Sequence, residues 1–312
     1  MNQTAIVDVC REELSYIVSE NKNVVVMGAD LMEISEYFPP ECQHQYIDVG
    51  IGEQNLIGSA AGMCEGGIIP VVYAVAPFLA YRAYEFIRND ICFQRKNVKI
   101  IAHSMGMDFC TWGPSHHTTE DIGALRSLPN LTIWCPATAL EIRQMVRKAV
   151  EVDGPVYIRM GREKDREILK EDTIFENGKG IIISEGSDMT LFSTGTITYE
   201  AVQAVEKLKD KVSIKMIHLP SIKPLDEALI VSSARETNRV VTIDEHNVIG
   251  GIGTAIADIL MTNNVCAKFE KIGLEDCFAK GYGKHTEMKD MNGIGVNDIT
   301  SRIEQFMGLK KI

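Results

Sequence analysis

Positive charge is in short supply. The 312 residues carry 32 Lys and Arg against 43 Asp and Glu, a formal net charge of −11. Nucleic-acid binding neutralises phosphates with a basic face, so this balance argues against such a partner. An anionic small molecule is not excluded, because a site can be basic within an acidic protein. Long apolar runs are missing as well. The longest, residues 68–81, is broken by Pro70 and Pro77 and falls short of the roughly 20 residues a membrane helix needs. Residues 1–14 show no apolar signal core. None of the eight cysteines stands in a Cys-x-x-Cys pair. Cys64, Cys92 and Cys135 lie in apolar or helical-looking stretches and read as reduced, mostly buried thiols. These absences predict a cytoplasmic protein with no membrane span.

What is present fits a globular chain long enough for two domains: 45% apolar and 24% charged residues. Short β-branched runs at 23–27, 68–75, 98–103, 131–135 and 156–160 read as strands. Between them, 5–20, 53–64, 80–94, 119–128 and 138–150 read as helices. A second alternating set follows. Its strands are expected at 189–193, 213–218 and 239–244, its helices at 199–208, 226–235 and 251–261. Alternation of this kind predicts parallel sheets covered by helices, here two consecutive three-layer α/β/α domains. The charged stretch ending in the Asn177-Gly178 turn signal interrupts the pattern. The expected division is a first domain over 1–165, a linker over 166–186 and a second domain over 187–312.

Three stretches carry candidate chemistry. In the first, Asp48-Val49-Gly50-Ile51-Gly52-Glu53-Gln54-Asn55 runs from a strand into a helix rich in small residues. Glu53 at that helix start reads either as a charge favoured by the helix dipole or as a functional carboxylate on a glycine turn. In the second, Phe78, Tyr81 and Tyr84 are spaced by three, which predicts one helical face. That face is either a core stripe or an aromatic slot for a flat heterocycle. The third, Thr111-Trp112-Gly113-Pro114-Ser115-His116-His117, puts adjacent histidines on a Gly-Pro turn. Without a Cys or carboxylate at ligand spacing they favour acid/base or substrate contacts over a metal.

These stretches, taken with Gly154-Pro155-Val156-Tyr157-Ile158-Arg159-Met160-Gly161-Arg162, resemble the pyrimidine-binding domain of the transketolase family. Ser193-Thr194-Gly195, Ile222-Lys223-Pro224-Leu225-Asp226 and the run Asp244 to Gly253 resemble its C-terminal domain. The resemblance extends in order over nearly the whole chain. It implies thiamine diphosphate as cofactor, with Glu53 at N1′ of the aminopyrimidine and Phe78, Tyr81 and Tyr84 around its ring. It implies His116 near the reacting carbon, with His103, His117, Trp112, Arg82, Arg159 and Arg162 as further substrate contacts. A surface ion pair is the plain alternative for each of these arginines. The implied reaction moves a two-carbon ketol unit from a ketose to an aldose.

The chain departs from the family pattern in three places. The Gly-Asp-Gly diphosphate and metal motif is absent. The resemblance therefore implies a partner, an N-terminal transketolase subunit that holds the diphosphate and its Mg2+ or Ca2+, in an assembly of two copies of each chain. No metal ligands are expected on this chain. Trp112 stands where transketolases usually carry aspartate, and Asn2-Gln3-Thr4-Ala5 replaces a helix start that often holds an arginine. Both put a standard pentose phosphate in question and point to a modified sugar, sulfonated or branched. Competing family readings are a deoxyxylulose phosphate synthase, a 2-oxoacid dehydrogenase beta subunit, and a scaffold without catalysis.

Overall fold

The computed structural model describes residues 4–309; Asn2 and Gln3, part of the helix start noted above, lie outside them. Six strands open the chain: β1 (Val24–Gly28), β2 (Tyr46–Asp48), β3 (Ile69–Val75), β4 (Lys99–His103), β5 (Thr132–Trp134) and β6 (Val156–Met160). They pair in parallel. β1, β4 and β6 are buried along their whole length. Parallel strands covered on both faces need unbroken apolar runs rather than alternation, and that is how these segments read. Helices α1 (Ile6–Glu20) and α5 (Ala139–Glu151) cover one face. α2 (Glu53–Met63), the short α3 (Tyr84–Phe86) and α4 (Asp121–Leu125) cover the other. A reciprocal Thr138–Glu141 capping box starts α5, satisfying two otherwise orphaned helix N–H groups.

The second sheet contains β7 (Ile181–Ser184), β8 (Met189–Ser193), β9 (Ile214–His218), β11 (Arg239–Asn247) and β12 (Lys268–Leu274). Its strand order is β12-β11-β8-β9-β7, with only β7 antiparallel. Helices α6 (Thr198–Leu208), α9 (His285–Met291) and α10 (Val296–Phe306) pack on one face. α7 (Glu227–Thr237) and α8 (Ile252–Thr262) pack on the other. Two α/β/α units in series are therefore what the chain forms. Among the described residues no helix is long and apolar enough to cross a membrane.

Three local differences from the sequence reading matter. β7 lies inside the stretch expected as linker and forms an edge of the second sheet. β10 (Ser221–Lys223), from the second half of the chain, pairs antiparallel with β5 and so extends the first sheet. The expected helix over 80–94 is instead π-helical at Phe78–Arg82 and again at Ile87–Phe93. Ala83 N donates to Phe78 O at 3.3 Å and Lys96 N to Ile91 O at 3.0 Å. Each wide turn takes up an extra residue, so a spacing of three no longer keeps one face.

The two domains are joined by buried polar contacts. Gly106 has φ +56, and a Cβ there would stand 2.4 Å from Glu245 Oε1; only glycine lets that carboxylate reach Met107 N at 2.6 Å. Gly250 packs on Gly123, whose N–H donates to His246 Nε2 at 3.2 Å. The Asp244 to Gly253 motif thus docks the second domain on the first.

Candidate active site

The carboxyl ends of β1, β3, β4 and β6 open into a cavity of about 590 Å3. That is where open α/β sheets place their ligands. Its walls include Glu53, Phe78, Arg82, His103, Trp112, His116 and Arg162, so most of the expected site residues converge there. A larger groove of about 1260 Å3 in the second half of the chain holds none of them. Of the charged residues lining it, Arg166 and Lys289 both pair with Glu200.

Glu53 is the first residue of α2, entered through Gly50 in the left-handed region (φ +68) and Gly52. Asp48 Oδ1 accepts from Gly50 N at 2.7 Å, and Asp48 Oδ2 from Leu31 N at 3.2 Å. Burial acts to raise the Asp48 pKa, but these backbone donors hold it below its ordinary value. The Glu53 carboxylate is buried and accepts from Arg82 Nη1 at 2.6 Å. The same guanidinium lies 4.4 Å over the Phe78 ring. A flat, delocalised cation therefore sits between a buried carboxylate and an aromatic face.

His116 stands beside this pair. Its ring meets Phe78 edge-on at 5.2 Å, Phe109 at 5.6 Å and Trp112 at 4.6 Å, and Ser115 Oγ is 3.0 Å from Nδ1. Burial, helped by the Arg82 charge, lowers its pKa. Trp112, 62% exposed, forms part of the rim.

His103 ends β4, and the chain leaves it through Ser104 at φ 67, a conformation that non-glycine residues seldom adopt. His103 is stacked on Tyr73 at 5.0 Å, with Ser104 Oγ 2.8 Å from Nδ1. Its Nε2 is buried and has no partner. Burial, then the charges of Arg162 and Arg11, push its pKa down to about 3. Arg162, just after β6, is exposed; its backbone N–H donates to Asp108 Oδ2 at 2.8 Å and its guanidinium lies 5.0 Å over Phe109.

Four expected site residues lie elsewhere. Arg159 is fully buried. Its Nε donates to both Asp121 oxygens at 2.9 Å, and its Nη2 to Thr118 O and Glu245 O at 3.0 Å. With its donors committed inside the protein it has none to offer a substrate, so Arg159 is a structural arginine. Tyr81 and Tyr84 do not line the cavity. The π-helical turn directs Tyr81 Oη to Glu120 Oε2 (2.7 Å) and Tyr84 Oη towards Ala124 O (3.4 Å), leaving Phe78 as the aromatic wall. His117 is buried behind the turn, where burial lowers its pKa against a backbone hydrogen bond at Phe109.

The cavity also holds residues the motifs did not single out: Arg11, Asp30, Glu33 and Phe109. Arg11 shares a face of α1 with Val7, one turn before it, and Val7 also lines the cavity.

Comparison with known proteins identifies the family. The model of the transketolase pyrimidine-binding domain matches residues 2–166, and that of the transketolase C-terminal domain matches residues 178–299. A putative transketolase C-terminal section from Methanocaldococcus jannaschii is 35% identical over 302 residues, covering 95% of this chain and 94% of that protein. A 6-deoxy-6-sulfo-D-fructose transketolase subunit from a Clostridium species is 31% identical over 289 residues, covering 92% and 89%. A solved split-gene transketolase, described as an inactive beta4 tetramer, superposes with a TM-score of 0.88 at 36% identity, covering 98% of this chain and 99% of that one. The chain belongs to the transketolase family, spanning that family's pyrimidine-binding and C-terminal domains.

Proposed function

We propose that this chain is the pyrimidine-binding subunit of a two-chain, thiamine-diphosphate-dependent transketolase. One observation carries the reading: the Arg82 guanidinium between Glu53 and Phe78. An aminopyrimidine asks for the same surroundings, with a carboxylate at its edge and an aromatic ring against its face. The residues present therefore fit the group. When bound, thiamine diphosphate supplies the electron sink for two-carbon transfer.

Glu53 holds the proton at N1′ of the pyrimidine, shielded from water by its burial. Phe78 orients the ring, and Arg82 must leave it. His116 accepts a proton from a sugar hydroxyl and returns it in the second half of the transfer. His103 and Arg162 bind the substrate farther along the cavity. The diphosphate and its Mg2+ or Ca2+ fall to an N-terminal partner chain, because this chain has no Gly-Asp-Gly motif. The assembly would hold two copies of each chain, and this chain alone would be inactive. Relatives include one of the subunits of an apulose-4-phosphate transketolase and the sulfofructose transketolase subunit. With Trp112 on the rim, a modified anionic ketose fits better than xylulose 5-phosphate.

Mixing the chain with an N-terminal transketolase subunit, Mg2+ and thiamine diphosphate tests this. Ketol transfer from a sulfonated or branched ketose phosphate should appear only in the mixture. Absence of transfer from every ketose in an assembled complex would overturn the reading, and full turnover with xylulose 5-phosphate plus ribose 5-phosphate would overturn the modified-sugar part.

A further inference from the structure

We infer that, with the cavity read as a transketolase site, the second domain takes part in the reaction through Tyr282 and His285, two positioning residues that hold the turn carrying Trp112 and His116.

That turn is an excursion from the first domain. Gly106 N donates to Thr118 O at 3.1 Å and Thr118 N to Gly106 O at 2.7 Å, which pinches off residues 107–117. Backbone bonds inside the excursion are local: Trp112 N donates to Phe109 O and His116 N to Gly113 O, each at 2.9 Å. Such bonds shape a turn without fixing where it points. It meets the first domain through ring contacts, Phe109 with His103 at 6.2 Å and His116 with Phe78 at 5.2 Å. A proton-transferring imidazole needs closer control, since a displacement of about 1 Å can cost roughly 100-fold in rate.

The second domain supplies that control at three successive points. Glu245 Oε1 accepts from Met107 N at 2.6 Å. His285, at the start of α9, places Nδ1 3.2 Å from Asp108 Oδ1, while Asp108 Oδ2 accepts from Arg162 N at 2.8 Å. One carboxylate therefore ties the turn both to α9 and to the residue after β6. At the tip Gly113 has φ +78, and a Cβ there would stand 3.0 Å from Tyr282 Cε1; the Tyr282 ring occupies the space the glycine leaves. Between these points Met107 and Cys110 pack against the second domain's core. Tyr282 is itself held in place. Asn292, which ends α9, accepts from Lys280 N at 2.8 Å and donates to Lys280 O at 3.0 Å, and Gly281 packs on Met291. The Tyr282 side chain buries little of itself, being 66% exposed, so its use lies in bearing on the turn rather than in the core. Because His116 N is bonded to Gly113 O, a shift of Gly113 carries His116 with it.

Two variants of Tyr282 test this in the assembled two-chain complex, with a sulfonated or branched ketose phosphate as donor and ribose 5-phosphate as acceptor. Tyr282→Ala should lower kcat roughly 10-fold, as expected for a displaced acid/base group, with KM and the urea midpoint unmoved. Tyr282→Phe keeps the ring against Gly113 and should restore kcat. Acrylamide quenching of the full-length chain reads the turn without turnover, because Trp112 is 62% exposed and Trp134, the other tryptophan, is fully buried. Quenching should rise in Tyr282→Ala and in His285→Gln and stay at the wild-type level in Tyr282→Phe. Wild-type kcat in Tyr282→Ala, a kcat loss matched by a lower urea midpoint, or failure of Tyr282→Phe to restore kcat would overturn the inference. If the complex transfers no ketol unit at all, the transketolase reading fails and quenching alone decides: a rise in both Tyr282→Ala and His285→Gln upholds the second domain's hold on the turn, and unchanged quenching overturns it.

Discussion

Two regions of this molecule are built from the same residue types and do opposite things. In the cavity, Arg162, His103 and His116 keep donors or ring nitrogens available. At the domain boundary, Arg159, Lys289 and Glu245 are buried, His285 and Glu163 are largely covered, and each is paired inside the protein. His285 lies 2.7 Å from both Glu163 Oε1 and Glu245 Oε1, and 3.2 Å from Asp108 Oδ1. The loop after β4 feeds both regions, with Asp108 in the boundary network and Phe109, Trp112 and His116 in the cavity. Partnership, rather than residue type, separates a structural charge from a functional one.

The sharpest way to break this comparison is to exchange one arginine from each region for methionine. Arg159→Met strands Asp121 inside the protein and should cost about 3–5 kcal/mol of stability in urea unfolding, the usual penalty for breaking a buried pair. Arg162→Met, at an exposed position, should stay within about 0.5 kcal/mol of wild type while raising KM for anionic sugars in the assembled enzyme. Equal stability losses would erase the distinction.

A second test uses pH. Burial opposes the charge on His285, but Glu245 and Glu163 win and hold its pKa well above the ordinary value of 6.5. A group raised in the fold contributes fully below its unfolded pKa and loses that contribution as pH rises through the folded value. His285→Gln should therefore cost about 3 kcal/mol at neutral pH, with the gap to wild type narrowing under alkaline conditions. A gap that widens with pH would contradict the network. Burial also pushes the Asp108 carboxyl up, to about 7, so its contribution falls between its ordinary value and neutral pH and leaves the alkaline limb to His285.

The smallest expected effect lies at Arg82. Its pair with Glu53 is partly exposed on the arginine side, 41% against 4%, so it is worth little more than a surface pair, roughly 1 kcal/mol. Arg82→Met should leave Glu53 free and tighten thiamine diphosphate in the two-chain complex by about fivefold, followed by tryptophan fluorescence. Weaker binding would mean that Arg82 helps hold the cofactor rather than standing in for it.

Much of this architecture is legible in residue patterns. β1, β4 and β6 declare themselves because strands covered on both faces must be apolar throughout; Glu53 on its glycine turn reads equally as a helix-start charge until the aromatic and histidine stretches are read beside it. Phe78, His103, Trp112, His116 and Arg162 do meet at one cavity. Tyr81 and Tyr84 do not, since a π-helical turn leaves no mark on residue spacing. Arg159 misleads because burial and pairing with Asp121, 38 residues away in sequence, are tertiary facts. Arg11 escapes notice because one arginine on an amphipathic helix looks like any solvated side chain. β10 escapes because a three-residue strand that joins another domain's sheet has no local signature.

The central claim is that Glu53 makes this chain the pyrimidine side of a shared thiamine diphosphate site. Its most direct test is Glu53→Gln in the two-chain complex, with cofactor-dependent ketol transfer, cofactor binding and assembly measured side by side. The account predicts at least a ~100-fold loss of transfer, the scale of a positioned acid/base group, in a complex that still assembles. Wild-type turnover in that variant would contradict it.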